Sequence, residues 1–263
     1  MSAVVVDEGL VHYEVIGRGR PLVFLHGWLG SWRYWVPTME ELSIGRCRAY
    51  AFDLWGFGDS DKLGMRYSVD AYVQLLEGLL DKLGVVYPPT IVGHALGGVV
   101  ALRFAAQAPD RVEQVVAVST PLVNADVNRS LAGFSGDGDA LARLASRRAR
   151  FPEVEMELGK TDVSAIVNSV HSVMEDDLHR LLPHLDIPVL LVYGDDDPFI
   201  NVPQPAWLRD CDDNVRVISL SGVRHFPMLE VQNKFNRLLR DFLDSEGDLQ
   251  SLELKEEWQR RQR

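Results

Sequence analysis

The amino-acid sequence predicts an α/β protein with a mainly parallel, eight-stranded sheet and helices on both faces. Short apolar segments alternate with helix-like segments along most of the 263 residues, and this rhythm is typical of parallel strands joined by crossover helices. An apolar run at 90–92 leads through a glycine-rich turn into a helix-like stretch at 99–107. The rhythm stops between residues 121 and 186, which indicates an inserted cap of several helices.

The strands are predicted from their residue types and their position between turns. Residues 3–7 and 10–16 are rich in β-formers on either side of Glu8-Gly9, so they are expected to form an opening hairpin. Short apolar runs predict the remaining strands at 22–25, 48–52, 90–92, 112–119, 187–193 and 215–220.

The helices of the sheet region are predicted from apolar spacing. Between Val69 and Leu83, apolar residues recur at Tyr72, Leu75, Leu76, Leu79 and Leu80, which is the spacing of one helix face. Other helices are expected at about 35–42, 204–209 and 231–242. We therefore divide the chain into a core at 1–120 and 187–246, a helical cap at 121–186 and a charged C-terminal tail at 247–263.

Composition and charge restrict the function classes. The formal net charge of −11 argues against a nucleic-acid partner. No apolar run reaches the length of a membrane span, and the N-terminus does not have the pattern of a signal peptide. The two cysteines, Cys47 and Cys211, lie far apart and are expected to be free thiols. We expect a cytoplasmic protein, monomeric or homodimeric, that does not bind a membrane.

The turn after residues 90–92 reads Gly93-His94-Ala95-Leu96-Gly97. With serine in place of Ala95 it would be the G-x-S-x-G nucleophile elbow, a strained strand-to-helix turn that exposes a nucleophile. A serine mechanism also needs a base, an acid that orients the base, and donors for the oxyanion. The remaining question is whether the chain supplies these parts.

The acid and the base are both found where that mechanism requires them, after late strands. The run Asp195-Asp196-Asp197 follows the strand at 187–193, and His225 follows the strand at 215–220. This order, nucleophile then acid then histidine, is the one expected for this kind of sheet. Asp195 and Asp196 are neighbouring alternatives to Asp197 as the acid.

These motifs together resemble the α/β-hydrolase family over about residues 10–242. Each motif is weak alone, but all of them occur in the family's order at strand ends: His26-Gly27, Asp53-x-x-Gly56-x-Gly58-x-Ser60, the Ala95 turn, Gly194-x-x-Asp197 and His225.

The resemblance implies a role for each matching position. It implies that His225 is the general base, that Asp197 is the acid and that Ala95 stands at the nucleophile position. The backbone N–H groups of Trp28 and Leu96 would bind the oxyanion. Alanine cannot attack a carbonyl, so the chain departs from the family at its central residue.

A substrate pocket is expected above Ala95, for a small molecule that includes an apolar part. Its candidate residues are His26, Gly27, His94, Phe57, Phe226 and Met174, with His26 expected to support the oxyanion loop by hydrogen bonding. The histidines of the cap, His171, His179 and His184, lack the accompanying ligands of a metal site. We therefore expect no metal and no cofactor.

Three functions remain open at this point. The first is hydrolysis of an ester-like bond (carboxylic ester, lactone or C–C) by a Ser-His-Asp mechanism, with serine replaced on purpose by Ala95 to trap substrate or silence the enzyme. The second is a natural relative that binds a small ligand without hydrolysis. The third is a cofactor-free lyase or oxygenase in which His225 and Asp197 act as the base. The sequence does not separate an engineered alanine from a natural one.

Overall fold

The computed structural model contains one eight-stranded sheet with helices on both faces, which confirms the predicted fold class. The structure describes residues 2–44, 46–134, 136, 151–204, 208, 211 and 213–253. The strands are β1 (Ser2–Val6), β2 (Gly9–Gly17), β3 (Arg20–Leu25), β4 (Cys47–Phe52), β5 (Thr90–His94), β6 (Gln114–Val118), β7 (Val189–Gly194) and β8 (Val215–Leu220). All of the predicted strands are present, with ends within two residues of the predicted ones.

The described helices follow the predicted pattern with two differences. They are α1 (Val36–Leu42), α2 (Val69–Lys82), α3 (Leu96–Gln107), α4 (Arg129–Ala132), α5 (Pro152–Leu158), α6 (Val163–Met174), α7 (Leu178–Leu181), α8 (Pro227–Glu230), α9 (Gln232–Asp244) and α10 (Gln250–Glu253). The helix expected at 231–242 begins one residue later as α9, because Val231 has a non-helical φ of −136° and separates it from α8. The helix expected at 204–209 lies mostly outside the described residues.

The strand order brings the loops of interest to one edge of the sheet. The order is β1-β2-β4-β3-β5-β6-β7-β8, with β2 antiparallel to β1 and β4 and all other pairs parallel. The carboxyl ends of β3 to β8 therefore share an edge, which is where open α/β sheets bind ligands.

The centre of the sheet forms the core. Every residue of β5, β6 and β7 is buried, as expected for parallel strands covered on both faces. One group of contacting helices contains α1 and α9, and another contains α2 and α3. Of the described helices, none combines the length and the apolar character needed to cross a membrane.

Hydrogen bonds and ion pairs fasten the segment between β6 and β7 to the rest of the chain. Arg33 lies between Asp59, at 2.7 Å, and Glu157 of α5, at 3.1 Å. Lys160 contacts the same two carboxylates, at 2.9 and 3.2 Å. Glu157 is buried, so these pairs are less screened than surface ion pairs.

The start of the predicted C-terminal tail packs against the core. Leu249 and Leu252, the latter in α10, are each only 1% exposed. Because residues 247–263 are mostly charged and polar, the sequence did not predict that these two apolar side chains are buried. Residues 254–263, which carry most of the tail's charge, lie outside the described residues.

Candidate active site

Ala95 occupies a strained turn between β5 and α3. Its backbone has φ 48° and ψ −110°, a combination that costs a non-glycine residue on the order of 1–3 kcal/mol. Its N–H donates to the carbonyl of Val118 at the end of β6, at 2.8 Å. The side chain is fully buried. The chain therefore has a strained strand-to-helix turn with a buried methyl group at its centre.

Glycines on either side of Ala95 allow neighbouring backbones to come close. A Cβ at Gly97 would lie 2.6 Å from the Leu25 carbonyl oxygen at the end of β3. A Cβ at Gly27 would lie 3.0 Å from the Cβ of Ala95 and 2.8 Å from the ring of His94. The absence of a side chain at Gly27 therefore lets the loop after β3 lie directly against the elbow.

His225 and Asp197 form a buried hydrogen-bonded pair at the same sheet edge. Nδ1 of His225 lies 2.8 Å from Oδ2 of Asp197, and the two side chains are 5% and 1% exposed. Asp195, by contrast, accepts a bond from the N–H of Gly222 at 2.7 Å. Of the consecutive aspartates considered from the sequence, Asp197 is the one bonded to His225.

The environment of Asp197 favours its ionised form. Burial alone would raise the pKa of this carboxyl, but the charge and hydrogen bond of His225 act in the opposite direction. The N–H groups of Phe199 and Ile200 also donate to Oδ1, at 2.8 and 3.1 Å. The net effect lowers the pKa of Asp197. An ionised Asp197 therefore faces the imidazole of His225 and can keep a proton on Nδ1 of that ring.

Two backbone N–H groups are the oxyanion donors expected from the family resemblance. Within the described part of the chain, the N–H groups of Trp28 and Leu96 have no hydrogen-bond acceptor. Leu96 is the first residue of α3, where the helix dipole favours negative charge. The Trp28 indole N–H donates to Ser169 Oγ of α6 at 2.9 Å.

His26 supports the loop after β3. Its Nε2 accepts a bond from the N–H of Leu54 at 2.9 Å, so its Nδ1 carries the proton and donates to the Gly27 carbonyl at 2.9 Å. Burial lowers the pKa of His26 to about 4. A neutral ring with both nitrogens bonded inside the protein has the supporting geometry expected from the sequence.

His94 differs from the predicted pocket-lining position. It is 1% exposed, and both ring nitrogens are bonded to protein groups: Nδ1 to the hydroxyl of Tyr34 at 3.0 Å and Nε2 to the carbonyl of His225 at 2.8 Å. These bonds leave His94 no free nitrogen for a ligand. No sequence pattern points to the involvement of Tyr34.

The apolar candidates occupy different places. Phe226 packs among aromatic rings, with centroids 5.1 Å from both His94 and His225. Phe57 is fully buried and lies edge-on to His26, with centroids 5.2 Å apart. Met174 is the half-buried last residue of α6, and no contact given by the structure joins it to Ala95 or His225.

A polar cluster that the sequence did not predict includes Asp53 and Asp59 of the loop after β4. In the described part of the chain, His12, Asp53 and Asp59 form the only trio of metal-binding residue types with ligand atoms within 4.8 Å of one another. Asp59 is already bound by Arg33 and Lys160. These cations supply the counter-charge, so we assign no metal here.

Asp53 is expected to make folding stability depend on pH. Burial raises its pKa to about 7, although the N–H groups of Asp59 and Trp32 donate to it. Because this value lies above the ordinary value of 3.8, the folded chain binds the proton more tightly than the unfolded chain. The stability that this provides is present near pH 4 and is lost as the pH rises to 7.

The Asp53→Asn variant tests this expectation by chemical denaturation at pH 5 and pH 8. The pKa difference of about three units corresponds to about 4 kcal/mol at most. The free energy of unfolding of the parent should fall between these pH values relative to that of the variant. Parallel pH curves for the two proteins would contradict it.

Comparison with known proteins identifies the class. The profile of the α/β-hydrolase fold family matches residues 20–165. An uncharacterized protein of Mycobacterium tuberculosis is 38% identical over 268 residues, covering 89% of this chain and 78% of the relative. The chain belongs to the α/β-hydrolase family.

Two further comparisons name activities of similar proteins. A pimeloyl-[acyl-carrier protein] methyl ester esterase of Nitrosomonas europaea is 28% identical over 254 residues, covering 86% of this chain and 96% of the esterase. The crystal structure of an enol-lactonase from Burkholderia xenovorans superimposes with a TM-score of 0.79 at 21% identity, over 92% of this chain and all of the lactonase. The second similarity is one of fold alone.

Proposed function

We propose that this chain is the binding and catalytic framework of a Ser-His-Asp ester hydrolase in which Ala95 stands at the nucleophile position. His225 is the general base, Asp197 orients it, and the N–H groups of Trp28 and Leu96 bind the oxyanion. The observation that carries the proposal is the 2.8 Å bond between His225 and Asp197. It lies at the same sheet edge as a strained elbow whose backbone has φ 48°.

The proposed substrate is a small molecule with an ester-like bond (carboxylic ester, lactone or C–C) and an apolar part. The aromatic side chains near His225 support the apolar part, since Phe226 and Phe199 both pack against its ring, at 5.1 and 4.9 Å between centroids. The esterase of Nitrosomonas europaea supports the bond type through its name. The segment 121–186 is proposed as a cap that shapes this pocket.

The alanine has a direct chemical consequence. A serine oxygen would attack the carbonyl carbon and pass its proton to His225. The bond from that carbon to the leaving group would then break, the leaving group would take the proton from His225, and an acyl-enzyme would remain. The Ala95 methyl group can form no such bond, whereas the oxyanion donors and the pocket do not depend on it. The chain is therefore proposed to bind its substrate and to turn it over only at the residual rate that binding and oxyanion stabilisation provide.

The experiment is labelling with a fluorophosphonate, which reports on an activated serine without knowledge of the substrate. In the Ala95→Ser variant the new oxygen should bond to phosphorus, fluoride should leave, and the proton should go to His225. Intact-mass spectrometry should show one adduct per chain, and peptide mapping should locate it at position 95.

Two controls make this experiment specific. The unaltered chain should remain unlabelled, because none of the serines that the structure describes is bonded to His225. The Ala95→Ser/His225→Gln double variant should label far more slowly than Ala95→Ser alone. Absence of an adduct from a folded Ala95→Ser variant, or an adduct at another serine, would overturn the proposal.

A further inference from the structure

A chain of buried hydrogen bonds joins the loop after β3 to the loop after β8. The N–H of Gly27 lies 2.7 Å from the hydroxyl oxygen of Tyr34. That hydroxyl lies 3.0 Å from Nδ1 of His94, and Nε2 of His94 lies 2.8 Å from the carbonyl oxygen of His225. We call these three bonds the Tyr34–His94 relay.

The direction of every bond in the relay is determined. A carbonyl oxygen can only accept, so Nε2 of His94 carries a proton and donates to His225. Burial, followed by the nearby His225, lowers the pKa of His94 well below its ordinary value, so the ring is neutral and Nδ1 accepts. Tyr34 therefore donates to His94, and its oxygen accepts from Gly27.

The relay joins loops whose strands, β3 and β8, are not neighbours in the sheet and so share no backbone hydrogen bonds. Three strands, β5, β6 and β7, lie between β3 and β8. Four strand spacings of about 4.8 Å therefore separate β3 from β8 by about 19 Å. The loops that follow β3 and β8 nevertheless both contact His94. The Tyr34 and His94 side chains provide a direct polar connection between them.

The relay also determines which N–H group of the loop after β3 is left available to a substrate. The Gly27 N–H is used by Tyr34. The next N–H, that of Trp28, has no acceptor in the described part of the chain. Tyr34 thus fixes the peptide that precedes a proposed oxyanion donor, while His94 holds the main chain of His225 and packs against its ring, with centroids 4.6 Å apart.

From this arrangement we propose that Tyr34 and His94 are positioning residues that hold the Trp28 oxyanion donor and the His225 base in register. Neither residue touches the reacting atoms. The inference rests on the proposed function, because positioning matters only if Trp28 and His225 act on one substrate. It goes further by assigning roles to two buried side chains for which the mechanism alone has no use.

Kinetics in the Ala95→Ser background test the positioning role. Adding Tyr34→Phe or His94→Leu should lower kcat on p-nitrophenyl butyrate by at least about 10-fold, because misplacing reacting groups by about 1 Å can cost about 100-fold. KM should change by less than about threefold, since the Tyr34 and His94 side chains are almost fully buried and both bond to protein groups. His94→Gln keeps a donor and an acceptor, so it should recover most of the activity that His94→Leu loses.

A matched tyrosine separates positioning from general stability. Tyr72 is buried as deeply as Tyr34, and its hydroxyl donates to the Trp55 carbonyl at 3.0 Å, outside the relay. Tyr72→Phe removes a bond of the same kind and should leave kcat unchanged. If Tyr34→Phe and His94→Leu reduce kcat no more than Tyr72→Phe does, the positioning role is wrong.

A second measurement needs no activity and uses the chain with Ala95. Nitrogen-15 NMR of the imidazole rings should show His94 as one neutral Nε2–H tautomer between pH 5.5 and 8.5. Tyr34→Phe should remove this single-tautomer state and shift the His225 signals, whereas Tyr72→Phe should do neither. Unchanged His94 and His225 signals in Tyr34→Phe would overturn the relay.

The kinetic and NMR experiments can contradict the proposed function and the positioning role independently. If Ala95→Ser has no activity, the proposed function fails and the NMR spectra still decide whether the relay exists. If Tyr34→Phe does not fold, the comparison of His94→Gln with His94→Leu decides the role of the relay. Activity in Ala95→Ser with equal kcat in these two His94 variants would overturn positioning by His94 while leaving the proposed function intact.

Discussion

Ala95→Ser is expected to raise kcat/KM for p-nitrophenyl butyrate by at least about 10³-fold, since losing a triad serine typically lowers the rate by several orders of magnitude. The change adds one oxygen at a position whose backbone already has φ 48°. The proposed base, its acid and the two proposed oxyanion donors lie on loops at the same sheet edge, so we expect the added oxygen to require no backbone rearrangement. Initial rates of p-nitrophenolate release measure the effect.

Ala95→Gly is the matched control for this gain. It alters the same residue without adding a hydroxyl, and glycine relieves the strain of a positive φ. Its rate should therefore stay at the level of the unaltered chain. If Ala95→Ser is folded and hydrolyses short esters and lactones no faster than Ala95→Gly, the chain is not a hydrolase lacking only its nucleophile, and binding without turnover becomes the better interpretation.

His225→Gln in the Ala95→Ser background is expected to lower kcat/KM by about 10³- to 10⁴-fold. Removing the imidazole leaves the serine without a base, and catalysis then falls toward the level that the oxyanion hole and binding provide. Glutamine keeps a polar side chain of similar length, which limits the damage to packing. The measurement is the ratio of kcat/KM between the single and the double variant.

His171→Gln serves as the control for this loss, because His171 lies exposed on α6. It should leave kcat/KM unchanged. The same His225→Gln substitution in the chain with Ala95 tests the lyase or oxygenase alternative. An activity of the unaltered chain that disappears with His225 would favour base chemistry that needs no nucleophile.

The strands of the fold were predictable because parallel core strands are apolar on both faces. All residues of Val189–Gly194 are buried, and the run is recognisable in the sequence without any partner. The ends of strands are harder to predict. β5 extends beyond its apolar run to His94. The His94 side chain can be buried there because both of its ring nitrogens are hydrogen-bonded.

The candidate site was predictable only where its residues follow strand ends. Asp197 and His225 occupy such positions, and the family resemblance pointed to both of them, with Asp195 and Asp196 left as alternatives to Asp197. The relay could not be foreseen, since two of its three bonds join residues that are 60 and 131 positions apart along the chain and depend on side-chain directions. Leu252 was missed for a related reason: its neighbours are charged, and only the tertiary structure shows that it is buried.

The presence of alanine at position 95 also has a genetic consequence. Alanine codons (GCN) and one set of serine codons (TCN) differ only at the first base. The elbow already holds the conformation that a serine would need there. On the proposed roles, a single base substitution separates a chain that retains its ligand from one that consumes it.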